Sequence, residues 1–564
     1  MDLQATRQVY ALLAQATQIC YAHGITHAVL CPGSRSAPLA LSFIRNKNIN
    51  HYILPDERSA AYTALGMAKS LQKPVALVCT SGTAALNFAP AVAEAFFSEV
   101  PLLVLTADRP PEWLGQADNQ AIFQQHIYGK HVKQSYTFPV DLEHKDAQWF
   151  ALRQLNETLN FSMQQPFGPV HINVPLREPL YLDEIPGSAA ENAPVKITHF
   201  IQPEAFLADD IYAELSHYNK VVFVAGMGAV NVALQEILQK LPHHTNIVLL
   251  PDITANLHDA KNSFPFAELV LDAADTEMAE KLSPDLIISF GGPVVSKTIK
   301  QFLRKSTAAH WHLGFTPAVA DTFQKLEKIL PVTPEAFFRQ LIYEKEVPFS
   351  NNYFELWQNQ QNQVKTKLPV ILQKLPYSEI KVAYTILWQL PQNSVLHLGN
   401  SLPIRYAAAF PNLPKNIAVY ANRGTSGIDG SVSTAAGFSI LQNNRTHTLL
   451  LGDLSFLYDG NGLWNNYLSP NLKIIVFNNH GGGIFRNLPG SAAQPELEEY
   501  FVVKQPLRVE HTALQYNCRY IYCNSEKYLQ QSLDELYAEN ERPAVLELEF
   551  SEALKIAEVK AMLK

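Results

Sequence analysis

Residues 449–485 read LLLGDLSFLYDGNGLWNNYLSPNLKIIVFNNHGGGIF. Two apolar runs, Thr448–Leu451 and Leu472–Phe477, are of strand length and carry β-branched residues, and each ends in small or polar residues where a parallel strand would stop. Both tips then belong on one edge of one sheet. The first offers Gly452-Asp453 and the second Asn478-Asn479, with Gly481-Gly482-Gly483 behind it. An acid, an amide and exposed backbone carbonyls suit a hard, six-coordinate cation such as Mg²⁺, which keeps open positions for phosphate oxygens. The intervening Tyr458–Leu468 segment reads as a helix whose N-terminus faces the same edge and offers an anion its orphan N–H groups. A cation site beside an anion site is a diphosphate site.

The rest of the chain is ordinary globular protein on composition, at 47% hydrophobic and 17% charged residues, and its 564 residues predict three or four domains. A net charge of −8 argues against general nucleic-acid affinity, so any anionic substrate has to be caught by local cations. The five cysteines, Cys20, Cys31, Cys79, Cys518 and Cys523, are scattered and lack metal-ligand spacing, which fits a reducing, cytoplasmic compartment. The N-terminal stretch reads as an amphipathic helix without a signal-peptide apolar block, and no run reaches transmembrane length.

Three cycles of alternating strands and helices follow one another. The first carries HAVLC, HYIL, PVALVCT, PLLVLTA and PVHINVP; the second KVVFVAG, NIVLLPD, DLIISFGG and HWHLG; the third SVLHLG, AVYAN, HTLLLGD, KIIVFNN, RYIYC and AVLELEF. Such alternation predicts α/β architecture, three doubly wound parallel-sheet domains over about 1–185, 200–345 and 370–564. The polar, Pro-containing stretches Leu180–Pro203 and Val347–Leu368 read as linkers. Ligands of such sheets bind at the carboxyl ends of the strands. There the first cycle places Ser34 and Arg35 in CPGSRSAPL, Glu57 in PDERS, the Ser/Gly/Thr turn of CTSGT, and Arg109, Asn119 and Gln120 in a long loop. The central Gly226-Met227-Gly228 lacks the third glycine of a dinucleotide fingerprint and reads as structural.

The pair Gly452-Asp453 and Asn478-Asn479 resembles the metal–diphosphate motif of the thiamine-diphosphate enzymes, with Gly452 to Asn479 spanning 28 residues and Leu454 where that broad family usually has glycine. The order of the cycles is that of its decarboxylase-like members: a pyrimidine-binding domain, a central domain and a diphosphate-binding domain. The resemblance implies thiamine diphosphate with Mg²⁺, or Mn²⁺, as cofactors. Asp453, Asn479 and the Gly481 carbonyl would hold the metal, and Gly452, Ser455 and Ile484 would line the cofactor. Ile428 would prop its bent shape, and Glu57 would hydrogen-bond the aminopyrimidine ring and favour its imino tautomer. It also implies active sites shared between subunits, hence a homodimer or homotetramer.

Within that family, CPGSRSAPL, TSGTAALNFAPAVAEA, TADRPPE, DNQ, GNSLPIR, NRGTSGIDG, GDLSFLYD and NNHGGGIF resemble the branch that decarboxylates 2-oxoglutarate and adds the remaining unit to isochorismate in menaquinone biosynthesis. Both substrates are dicarboxylates, which need paired cations in a partly dry pocket, and Arg forks bind carboxylates bidentately. Arg35, Arg109, Arg405 and Arg423 lie in the matched motifs, with Ser34, Asn119, Gln120, Ser401 and Phe485 beside them and Lys297 in the central cycle. Gln120 and Ser401 would steer the acceptor during catalysis. Thr298 stands where an arginine often follows that lysine. A pyruvate-type carboligase, which would expect a more apolar pocket, and a non-catalytic relative remain the alternatives.

Overall fold

The computed structural model describes residues 3–142, 144–182, 195–198, 209–241, 247–316, 320–343, 352–550 and 554–563. Its first sheet contains β1 (His27–Leu30), β2 (Asn50–Ile53), β3 (Val75–Cys79), β4 (Leu102–Asp108), β5 (Ser135–Thr137) and β6 (Val170–Pro175), in the order β2-β1-β3-β4-β6-β5. The second contains β7 (Val221–Ala225), β8 (Ile247–Pro251), β9 (Leu286–Phe290), β10 (Ala309–Leu313) and β11 (Leu326–Leu330), in the order β11-β10-β9-β7-β8. The third contains β12 (Val395–Leu398), β13 (Ala418–Ala421), β14 (His447–Gly452), β15 (Leu472–Asn478), β16 (Arg519–Cys523) and β17 (Ala544–Glu549), in the order β13-β12-β14-β15-β17-β16. The first and third orders are the same, strand for strand. Registers are parallel, as in Ala28↔Ala76 and Val395↔His447.

All the strands read from the sequence are present, and the short β5 and the charged β11 (LEKIL) are added to them. Central strands such as β3 and β4 are buried at every position because helices cover both faces, whereas the edge strand β2 is partly exposed along its length. In each sheet the chain leaves the first and third strands in opposite directions, and these are the switch points. A glycine sits after the first strand each time, because a second tip crowds it. A Cβ on Gly33 would stand 2.3 Å from Thr80 Cβ, one on Gly226 1.9 Å from the Gly292 carbonyl, and one on Gly399 2.6 Å from Leu451 Cβ. Gly226 of the Gly226-Met227-Gly228 turn is therefore accounted for by packing.

Two compact units emerge. One comprises Met1–Ile201, Asn422–Asn444 and Tyr458–Leu472; the other comprises Gln202–Ala421, Arg445–Leu457 and Lys473–Lys564. In the first, helix Glu57–Leu71 crosses helix Ser431–Leu441 so closely that only small residues fit. A Cβ on Gly66 would lie 2.0 Å from the Thr434 carbonyl, and one on Gly437 2.1 Å from that of Thr63. In the second unit one apolar core runs through residues of both sheets, and helix Asn352–Lys374 contributes Tyr353, Trp357, Val364, Leu368 and Leu372 to it.

Two sequence expectations are corrected here. Val347–Leu368 is helical from Asn352 on, because its few large apolar residues recur at helical spacing and bury one stripe despite the Gln- and Asn-rich remainder. The Leu180–Pro203 linker lies largely outside the described residues. Tyr458–Leu468 is not a helix. The helix begins at Asp453 and ends at Tyr458, and a 3₁₀ turn, Gly460–Leu463, follows. Two glycines in four residues favour that break. Gly462 also packs where a Cβ would lie 2.6 Å from Ser433 Oγ. Among the described residues, no helix is long and apolar enough to cross a membrane.

Candidate active site

The second unit holds the diphosphate motif. Asp453 opens a helix at the β14 tip and is 1% exposed. Its Oδ2 accepts from the Gly481 N–H at 2.8 Å and from Gln505 Nε2 at 2.7 Å. Burial raises its carboxyl above the ordinary value, opposed by these hydrogen bonds. Gly481, at φ +144°, brings its backbone to the carboxylate in a conformation that side-chain-bearing residues rarely adopt. Across the sheet edge, Asn479 Nδ2 donates to Glu379 Oε1 at 2.8 Å, and Asn479 Oδ1 is buried with no partner among the described residues. A buried amide oxygen left without a donor is costly unless something else reaches it. A buried carboxylate, an unpartnered amide oxygen and a nearby backbone carbonyl form an all-oxygen donor set that fits Mg²⁺. Among the described residues, no cluster of three or more His, Cys, Asp and Glu competes as a metal site. Gly452 leaves open space where a Cβ would meet nothing within 4 Å, room for a diphosphate oxygen. Ser455 is buried one turn in, and Ile484 packs against the core.

At the β12 tip of this unit, Ser401 caps helix Leu402–Ala409 at φ 76° and ψ −127°, a region few non-glycine residues occupy. Its carbonyl accepts from Arg405 NH1. Phe485 follows Ile484 and lies 5.6 Å from the Phe501 ring. Lys297 opens helix Lys297–Lys305 beyond β9 and is exposed. The loop before it is fixed by buried Asp252, whose Oδ2 accepts from Val295 N–H at 2.6 Å.

The first unit holds the other set. Glu57 is the first residue of its helix, half-buried, and takes no hydrogen bond among the described residues. Its flanks are anchored. Asp56 caps Ser59 N–H at 3.0 Å and accepts from Asn461 at 2.7 Å, while Arg58 donates to the Tyr458 carbonyl at 2.7 Å. Burial, and then the Glu57 charge, holds the Cys79 thiol well above its usual value, so the carboxylate lies within electrostatic reach of the β3 tip. Gln120, at φ 56°, lies over that tip, and its Nε2 donates to the Ser81 carbonyl at 3.1 Å.

The arginines of this unit are engaged by their own chain. Arg35, 7% exposed, donates to the Leu176 carbonyl at 3.0 Å and to Glu178 at 2.9 Å. Arg109 pairs with Asp118 at 2.7 Å and donates to the Asn119 carbonyl at 2.7 Å, closing its own loop. Ser34 Oγ meets Tyr181 OH at 2.9 Å. Arg423 and Ile428 ride on a loop held by Glu94, which is 0% exposed and accepts from the N–H groups of Gly424 (2.9 Å) and Thr425 (2.7 Å). Lys69 stands 3.8 Å from Glu94 and donates to Asn422 at 2.9 Å. Sequence reasoning missed Glu379, Gln505, Glu94 and Lys69. Glutamate and lysine inside amphipathic helices are usually solvated, and only their burial distinguishes them.

Comparison with known proteins now bears on this geometry. Residues 12–132 match the thiamine pyrophosphate enzyme N-terminal TPP binding domain, 191–398 the middle domain of thiamine pyrophosphate, and 402–548 the thiamine pyrophosphate enzyme C-terminal TPP binding domain. The benzoylformate decarboxylase of Polynucleobacter necessarius superimposes with a TM-score of 0.72 over 96% of this chain and 99% of that one, a likeness of fold alone at 15% identity. The chain is thus a thiamine-diphosphate-dependent enzyme of three α/β domains. It is 38% identical over 551 residues to the 2-succinyl-5-enolpyruvyl-6-hydroxy-3-cyclohexene-1-carboxylate synthase of Cytophaga hutchinsonii, covering 96% of both chains. It is likewise 38% identical over 541 residues to that of Flavobacterium johnsoniae, covering 95% of this chain and 96% of the relative. It belongs to this synthase family.

Proposed function

We propose that the protein decarboxylates 2-oxoglutarate and adds the resulting succinyl-semialdehyde unit to isochorismate, a step of menaquinone biosynthesis, in the cytoplasm and as a homodimer or homotetramer. The observation that carries this reading is the buried Asp453–Asn479 pair, an oxygen donor set with one amide oxygen left over, in a chain of this synthase family. Mg²⁺, or Mn²⁺ in its place, would be held by Asp453, Asn479 Oδ1 and the Gly481 carbonyl, and the open space at Gly452 would leave room for the diphosphate. Thiamine diphosphate, when bound, supplies the nucleophilic carbon and the electron sink for loss of CO₂.

The side chains bind, orient and exclude water. Glu57, without a competing hydrogen bond among the described residues, is available to the aminopyrimidine ring, and Ile428 would support the cofactor's bent shape. Arg405 and Arg423 are suited to a donor that keeps a distal carboxylate, and Arg35 and Arg109 to isochorismate, with Ser34, Asn119, Lys297 and Phe485 as further substrate-binding residues. Gln120 and Ser401, each held at positive φ, orient the acceptor. The domains implied are pyrimidine-binding over 1–185, central over 200–345 and diphosphate-binding over 370–564. The test is incubation with 2-oxoglutarate, isochorismate, thiamine diphosphate and Mg²⁺, following loss of the isochorismate absorbance. Consumption only with 2-oxoglutarate as donor is the expected result; pyruvate serving equally well while isochorismate persists would replace this reading with a pyruvate-type carboligase.

A further inference from the structure

The unpartnered Asn479 oxygen has a cause within the same unit. Glu379 opens helix Glu379–Trp388, a position where a glutamate ordinarily faces solvent and complements the helix dipole. Here it is 6% exposed. Each of its oxygens accepts one hydrogen bond, Oε1 from Asn479 Nδ2 and Oε2 from the Tyr406 hydroxyl, both at 2.8 Å. Asn479's NH₂ can only donate, and an ionised carboxylate can only accept. That complementarity fixes the carboxamide. With its nitrogen turned to Glu379, its oxygen is forced to the other side, where it lies buried without a donor among the described residues. Gly483 packs beside the amide, since a Cβ there would stand 2.5 Å from Asn479 Nδ2. Burial above all, and Asp453 to a lesser degree, disfavour ionisation of Glu379, while the hydrogen bonds from Asn479 and Tyr406 oppose them.

We propose that Glu379 is a positioning residue for the divalent metal: it turns the Asn479 carboxamide oxygen toward the cation. The inference rests on the assignment of Asp453 and Asn479 to the metal made above. Glu379 itself does not ligate; it acts through Asn479, as carboxylates behind metal ligands commonly do.

The test uses the full-length protein with saturating thiamine diphosphate, reading metal affinity directly from loss of the free Mn²⁺ signal in electron paramagnetic resonance and from Mg²⁺ calorimetry. Glu379→Ala should weaken Mn²⁺ binding by about 10- to 100-fold. Glu379→Gln should stay near the parent, because the Gln carbonyl still takes Asn479 Nδ2. In an Asn479→Ala background, Glu379→Ala should add no further loss. Turnover of the single variants should recover at saturating metal, which a general packing defect would not allow. If Glu379→Ala does not fold, Glu379→Met carries the test, since it keeps the volume and removes the acceptor oxygens. Parent-like metal affinity in Glu379→Ala or Glu379→Met, or fully additive losses in the double variant, overturns the proposal. Asp453→Ala separates the two levels: if it too leaves Mn²⁺ affinity unchanged, the metal assignment itself falls.

Discussion

The first and third sheets have the same strand order and put a crowded glycine at the same switch point, yet their tips are in opposite chemical states. At the first, Ser34, Arg35 and Arg109 are satisfied by Tyr181, Leu176, Glu178, Asp118 and the Asn119 carbonyl. At the third, a carboxylate at 1% exposure and an amide oxygen with no donor among the described residues face the same edge. Topology thus determines where ligands go, and the residual hydrogen-bonding capacity of the tips determines which groups a ligand has to satisfy. Side chains already satisfied at the first sheet should act on stability as well as on substrate binding; unsatisfied ones at the third should act mainly on binding.

Glu57 is the exception on the first sheet, and its replacement should give the largest effect. Glu57→Gln keeps the size and a hydrogen bond, so cofactor should bind as before. Proton exchange at the thiazolium carbon should slow by about 100- to 10,000-fold, measured by NMR. An unchanged rate would reduce Glu57 to a helix-start carboxylate. On the third sheet, Asp453→Ala should weaken joint binding of thiamine diphosphate and Mg²⁺ by about 2–5 kcal/mol in calorimetry. The thermal shift that the two produce together should disappear.

Arg35→Ala probes the satisfied side directly. Because its guanidinium is buried against the Leu176 carbonyl, ligand-free protein should lose about 1.5–3 kcal/mol in denaturant unfolding. Parent-like stability would mean that Arg35 merely rests on its own chain and serves isochorismate alone. A pH scan sharpens the same point. His171, buried between Thr106 and Ser135, is held down to about 3, by burial first and by His126 second. The unfolded chain, with its histidine near the usual value, then binds the extra proton between about pH 6.5 and pH 3. Stability is therefore full above that window and falls as pH drops through it, by at most about 1.4 kcal/mol per unit from this group. His171→Gln should flatten that part of the melting-temperature profile. The smallest effect belongs to Ser401→Gly, which should relieve the positive φ and raise the melting temperature slightly while lowering turnover. A fall in melting temperature would mean that the serine side chain stabilises the turn more than its backbone strains it.

The sequence by itself determined the three α/β cycles, because strands buried on both faces are continuous apolar runs, and the places where they end, because turn chemistry is local. It also singled out Asp453 and Asn479 as metal-site candidates, and these stand at adjacent strand ends within a single crossover. It misplaced the helix after Asp453 and took a polar helix for a linker, both cases where a sparse apolar pattern is decided by what packs on it. Only the tertiary structure could decide which polar groups are spent and which remain. Glu379 lies 100 residues from the asparagine it orients, Gln505 lies 52 from Asp453, and Glu94 lies 330 from the Gly424 amide it holds. Hydrogen-bond satisfaction is a property of neighbours in space, and spacing along the chain carries no record of it.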